Sequence, residues 1–312
     1  MPALIRALRP PEWIKNLLVF AGLLFSGQVD EGAQVLDAVL VFAAFCAMSS
    51  AGYLFNDIHD AELDRSHPDK RRRPIASEEL SVGTAVAAAV ALAALGVAIP
   101  LAGVDSETAG LVALYGIITA AYTLVLKRLV IIDVMTIASL FLLRVVAGAV
   151  AVEAQASEFL LLCTAMLALF LGFTKRRQEA LLEMPAASFA SEPQASGRPA
   201  KPAAGAAGSE EPAQTRPVLE HYSIPFLDQM IAMVTAAAII SYAIYAIGSP
   251  LVGSKMLATA PSVVYGVFRY LYLIYDRRDT RSTAAILTED PGMIFAGVTW
   301  IAAAVAVLYV FD

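Results

Sequence analysis

Apolar stretches long enough to cross a lipid bilayer recur from one end of the chain to the other, and they leave little choice of architecture. A helix needs about 20 apolar residues to cross the hydrocarbon core. Lipid offers no partner to a backbone N–H or C=O, so spanning segments of that length are helices. About nine are expected: Trp13–Ser26, Ala33–Phe55, Leu80–Leu101, Thr108–Leu126, Val130–Val152, Glu158–Thr174, Phe226–Ile247, Ala260–Tyr275 and Pro291–Phe311. Composition agrees. Of 312 residues 58% are hydrophobic and 16% charged, against about 45–50% and 25% in soluble domains. The expected fold is all-α, a polytopic membrane protein with one transmembrane domain over residues 1–312.

The net charge of −6 says little, because the charges are gathered in loops. Lysines and arginines cluster in the N-terminus and after spans two, four, six and eight; the other loops hold only Lys255. By the positive-inside rule the N-terminus and every charged motif lie on the cytoplasmic side of the plasma (bacterial inner) membrane. Cys46 and Cys163 fall inside apolar segments, and His59, His67 and His221 share no ligand spacing, so neither a disulfide framework nor a zinc pattern is present. Nothing points to nucleic acid, and the sequence leaves open whether copies assemble into a homo-oligomer. Met184–Arg216 is rich in Pro, Ala, Ser, Gly and Glu and cannot bury enough apolar surface to offset its ordering entropy. It is expected to be a disordered cytoplasmic loop inserted in the domain.

The second span ends in NDIHDAELDRSHPDKRRRPIA, Asn56 to Ala76. Asn56, Asp57, Asp60 and Asp64 follow at spacings of one, three and four, which on a helix stack the carboxylates on one face. Like charges so placed repel, and a hard divalent cation would offset the cost. Mg²⁺ is commonly held by one or two carboxylates plus substrate phosphate. Lys70, Arg71, Arg72 and Arg73 then supply bases that can meet phosphate oxygens. Acids for a metal followed by bases for phosphate read as a diphosphate site; a solvated loop of mixed charge is the plainer alternative.

Polar residues inside spans are costly and usually face a cavity or a partner. Asp133 and Arg144 are about three helical turns apart and face the same way. Either each pairs with a neighbouring helix, or Arg144 meets substrate phosphate. Tyr122 and Lys127 close the fourth span, and Lys175, Arg176 and Glu179 follow the sixth; loop bases of the topology signal explain the cations equally well. Arg269 lies more than a turn inside its span, beside Tyr270 and Tyr272. Lys15 stands at the mouth of the first.

A span ending in NDxxDxxxD before a basic run resembles the UbiA superfamily of intramembrane prenyltransferases. The resemblance implies nine helices in a ring around a central cavity, with Mg²⁺ on Asp57, Asp60 and Asp64. Further blocks (RPPEWIKNLLVF, YTLVLKRLVIIDV, LLRVVAGAV, GFTKRRQE and FRYLYLIY) are similar to one branch, the decaprenyl-phosphate phosphoribosyltransferases. That branch moves 5-phosphoribose from phosphoribosyl diphosphate to a polyprenyl phosphate and releases diphosphate. Aromatic prenyltransferases of the superfamily carry a second aspartate cluster after span six. Here the place reads TKRRQEALLE, with bases, Glu179 and Glu183 and no aspartate. One metal cluster facing several bases suits one diphosphate and two monophosphates.

The resemblance implies catalytic roles for Asn56, Asp57, Asp60 and Asp64. Contacts to the anionic substrates would come from Lys15, Asn56, Lys70, Arg73, Tyr122, Lys127, Arg144, Lys175, Arg176, Glu179 and Arg269. The competing readings are an aromatic prenyltransferase, as in quinone biosynthesis, and a transporter whose charges line a path. No second copy of the acidic motif supports a transporter repeat.

Overall fold

The computed structural model describes residues 2–26, 31–67, 70–154, 157–183, 217–248, 253–277, 279, 281 and 283–309. Eight helices among them are long and apolar enough to cross a membrane. They are α1 (Gly32–His59), α2 (Val82–Gly103), α3 (Ser106–Leu124), α4 (Ile132–Ala151), α5 (Glu158–Glu183), α6 (Ile224–Ile247), α7 (Ala260–Tyr275, which reaches crossing length together with the 3-10 helix Gly253–Thr259 ahead of it) and α8 (Pro291–Tyr309). The chain is an all-α integral membrane protein, and these helices match the second to ninth expected spans. The inserted segment, residues 184–216, lies outside the described residues.

Three of the helices start at a residue whose side chain caps them. Ser81 accepts the Thr84 N–H at the head of α2, Asp105 accepts the Thr108 N–H at the head of α3, and Ser223 accepts the Phe226 N–H at the head of α6. Pro225 and Pro261 sit in the first turns of α6 and α7, where a missing N–H costs nothing. Neighbours in the chain are neighbours in space, from α1 against α2 round to α7 against α8. The short helix Thr283–Glu289 returns against the N-terminal segment. Valines and alanines cover the outer face of α2; Val86 and Val90 are exposed for lipid rather than water.

The first expected span differs. Pro10–Val19 winds as a 3-10 helix and only Phe20–Ser26 is α-helical, so no regular helix of crossing length forms there. Pro10 and Pro11 withhold two N–H groups at its start. The segment is pressed onto α4: a Cβ on Gly148 would lie 1.9 Å from the Val19 carbonyl oxygen, and one on Gly22 would lie 2.6 Å from the Ala149 Cα. Only glycine permits backbones this close.

Candidate active site

Because successive helices alternate in direction, one end of the bundle collects the end of α1, the end of α3, the start of α4 and the end of α5. The charged motifs meet there. Helix α1 stops at His59, where Asp60 leaves helical geometry (φ −94°, ψ 5°), and a short helix, Ala61–Ser66, carries Asp64. The break divides the acids rather than stacking all three on one face. Asp57 and Asp64 share Arg73, whose Nη1 donates to Asp57 Oδ1 at 3.1 Å and to Asp64 Oδ2 at 2.7 Å. Asp60 instead receives Lys127 Nζ at 2.7 and 2.9 Å. Asn56 is half-buried on the last turn of α1, and its carbonyl accepts the Asp60 N–H. Lys70 opens the 3-10 turn that delivers Arg73, its backbone N–H donating to His67 Nδ1. Burial raises the Asp64 carboxyl above its ordinary value, against the opposing charge of Arg73.

Sequence reasoning missed two members of the site, Arg9 and Glu12. Arg9 Nη2 donates to Asp57 Oδ1 at 2.6 Å, and its guanidinium lies 5.0 Å from the centre of the Tyr53 ring. Arg9 has φ 54°, a left-handed corner just before Pro10. The signal was the Arg-Pro-Pro run, which turns a base back toward the bundle, but as a sequence it reads as one more topology charge. Glu12 is paired with Lys15. Burial works against the charge of Glu12, yet Lys15, with Lys175 of α5 and Arg9, outweighs it and holds the carboxyl below the usual range. The Glu12–Lys15 pair thus stands in the field of Lys175 and Arg9.

Other predicted residues are committed to the framework. Arg176 has no exposed surface; its Nε donates to Asp133 Oδ2 at 2.5 Å, its Nη2 to the Tyr122 hydroxyl at 2.9 Å, and its Nη1 to Glu179. Tyr222 completes that network by donating to Asp133 Oδ1 at 2.7 Å. Arg144 lies deeper. It donates to Asn16 Oδ1, the Leu140 carbonyl and the Tyr115 hydroxyl, each at 2.7 Å, and stacks against Tyr115, Phe141 and Phe45. Of the two arrangements left open for Asp133 and Arg144, each takes separate partners. Arg269 donates to both Asp290 oxygens, at 3.0 and 2.9 Å, just ahead of α8. A separate groove between α6 and α7, about 560 Å³ and lined by Ile231, Thr235, Phe268 and Tyr272 among others, includes none of these residues.

Among the described residues no three His, Cys, Asp or Glu side chains converge to hold a metal by themselves, because Asp60 is turned away from Asp57 and Asp64. The donor chemistry nonetheless fits a hard cation. Asp57 Oδ2 is buried and has no hydrogen-bond partner, so one carboxylate oxygen stands ready for a ligand. Few protein carboxylates with the remaining positions left to phosphate or water is the usual Mg²⁺ arrangement.

An apolar helical bundle with acids and bases gathered at one end defines the class: an integral membrane protein with a charged mouth. The chain belongs to the UbiA prenyltransferase family, which matches residues 16–179. It is 34% identical over 245 residues to the decaprenyl-phosphate phosphoribosyltransferase of Corynebacterium glutamicum, covering 78% of this chain and 66% of that one. It is 39% identical over 180 residues to the protein of the same name from Mycolicibacterium smegmatis, covering 56% of each. The chain thus spans less than two thirds of the length of these relatives. Its fold resembles a UbiA homologue from Archaeoglobus fulgidus bound to GPP and Mg²⁺, with a TM-score of 0.70 and 19% identity over 99% of this chain and 100% of that one.

Proposed function

We propose that this protein transfers 5-phosphoribose from phosphoribosyl diphosphate to a polyprenyl phosphate, of which decaprenyl phosphate is the case its relatives' names indicate. The observation that carries the reading is one acidic cluster, Asp57, Asp60 and Asp64, met by Arg9, Arg73 and Lys127, with Lys15 and Lys175 as further bases against the single carboxylate of Glu12. Two substrates that bring three phosphate-bearing groups need such a surplus. An aromatic acceptor, which brings no phosphate, would not need so many cations. The names of the curated relatives favour the same branch.

In this reading Asp57 and Asp64, which share Arg73, would hold Mg²⁺, which supplies charge neutralisation for the leaving diphosphate, while Asp60, expected from the sequence as a third ligand, keeps Lys127 at the mouth instead. Arg73 and Arg9, already at Asp57, would meet diphosphate oxygens, with Lys70 beside them. Asn56 would add a hydrogen bond. Lys127 and Lys175 would offset the repulsion between donor and lipid phosphate. The bond from the ribose anomeric carbon to the diphosphate oxygen breaks as one forms to a lipid phosphate oxygen. That oxygen is already anionic, so the protein's task is to hold two anions in line. Tyr122 and Glu179 would act through Arg176, and Arg144 would brace the floor beneath. Arg269 would hold α7 to the start of α8. The site would open to the cytoplasm, and the polyprenyl tail would lie between apolar helices in the bilayer.

The test is incubation of the purified protein in detergent with Mg²⁺ and radiolabelled phosphoribosyl diphosphate plus a polyprenyl phosphate. A prenyl diphosphate plus an aromatic acid forms the parallel arm. Labelled lipid is expected from the first pair, lost on adding EDTA and in Asp57→Asn, and restored to wild type by Mg²⁺. Product from the second pair alone would transfer the assignment to aromatic prenylation.

A further inference from the structure

We propose that Glu12 is the acceptor for the ribose hydroxyls of the donor, the residue that makes this site take a sugar diphosphate rather than a bare one. The inference rests on the phosphoribosyl reading given above. Its starting point is an apparent contradiction. A site meant for anions has a carboxylate among its bases: Glu12 is paired with Lys15, and Lys175 and Arg9 add their charges to it. Left there without a task, it would repel every phosphate that those bases attract.

Geometry gives it a task. Glu12 stands on the first turn of the Pro10–Val19 helix, and its side chain is about one-fifth exposed, so it is reachable without being a surface residue. Arg9, three residues before it, is bound to Asp57 Oδ1, and its guanidinium lies over Tyr53. Glu12 therefore lies one turn from the acidic motif, where a diphosphate would be held: its backbone N–H donates to the Arg9 carbonyl at 2.9 Å, and Arg9 is the residue that reaches Asp57. Between two phosphate-bearing groups of the donor lies its sugar. An ionised carboxylate accepts hydrogen bonds and donates none, so it suits vicinal hydroxyls and rejects phosphate oxygens. The surrounding bases keep it ionised. The Lys15 ammonium has three donors and can keep its bond to Glu12 while meeting a phosphate.

The experiment compares two ligands by calorimetric titration of the detergent-purified full chain in Mg²⁺: phosphoribosyl diphosphate and inorganic diphosphate. Glu12→Ala should weaken phosphoribosyl diphosphate about ten- to a hundredfold, the loss that goes with removing a charged hydrogen-bond acceptor. It should leave diphosphate unchanged or tighter, since a repelling charge has gone. Glu12→Gln keeps one carbonyl acceptor and should fall between. Equal weakening of both ligands would mean that Glu12 only positions Lys15, and would overturn the proposal while leaving the phosphoribosyl reading standing. Wild-type protein that binds diphosphate but gains nothing from the ribose would overturn both. Melting temperatures of the variants, expected to match wild type, separate lost binding from lost folding.

Discussion

Lys175 and Arg176 are adjacent in the sequence and opposite in circumstance. Lys175 is exposed at the end of α5, while Arg176 is wholly buried against Asp133, Glu179 and Tyr122. Breaking a buried pair leaves a bare charge, at a cost of about 3–5 kcal/mol. Arg176→Ala is therefore expected to lower the melting temperature in detergent sharply, and Arg176→Met with Asp133→Leu to recover much of the loss. Lys175→Ala should leave melting unchanged and reduce kcat/KM for the anionic substrates about ten- to a hundredfold. Melting curves and steady-state kinetics of the three variants check both. Sequence alone put both bases in one group, because spacing on a helix says which side chains share a face and nothing about which neighbour occupies it. The acids Asp57, Asp60 and Asp64 were legible as a charged run at a span's end, and Arg73 as part of the basic run behind it. Arg9 and Glu12 were not, because what gathers them is the left-handed corner at Arg9, a backbone feature that residue types alone do not declare.

At the level of helices, the second to ninth spans could be read directly, since length and apolarity decide them in lipid. The first could not. Its winding depends on contact with α4, where Gly148 faces the Val19 carbonyl. Gly148→Ala would push a methyl group into a backbone oxygen that cannot rotate away. Overpacking of this kind costs about 1–3 kcal/mol, and because the same segment carries Glu12 and Lys15, substrate affinity should fall with stability. Gly110→Ala in α3 meets nothing within 4 Å. It should be neutral or stabilising by up to about 1 kcal/mol through helix propensity. Thermal unfolding of the two variants, measured side by side, distinguishes a contact-bound glycine from an incidental one; equal melting temperatures would remove the argument for the tight seam.

For the whole molecule, the alternation of basic loops predicts which side of the membrane the site faces. In a background of Cys46→Ser and Cys163→Ser, a membrane-impermeant maleimide added to intact cells should label Glu107→Cys, at the head of α3, and not Ser77→Cys, in the loop after the acidic motif. The reverse pattern would turn the protein over and remove the cytoplasmic assignment. The mouth that these labels would locate has one further property. Asp57, Asp60 and Asp64 face Arg9, Arg73 and Lys127, three charges of each sign, and every carboxylate already has a basic neighbour. Those bases are counter-ions in place. A phosphate that meets one of them must share it with a carboxylate, so entry at this end of the bundle would have more the character of ion exchange than of capture. An anion arriving alone leaves an aspartate stranded in a poorly hydrated place, whereas an anion arriving with its own cation leaves the balance intact. On the phosphoribosyl reading, such a mouth would resist the free diphosphate of the cell and open to the neutralised salt.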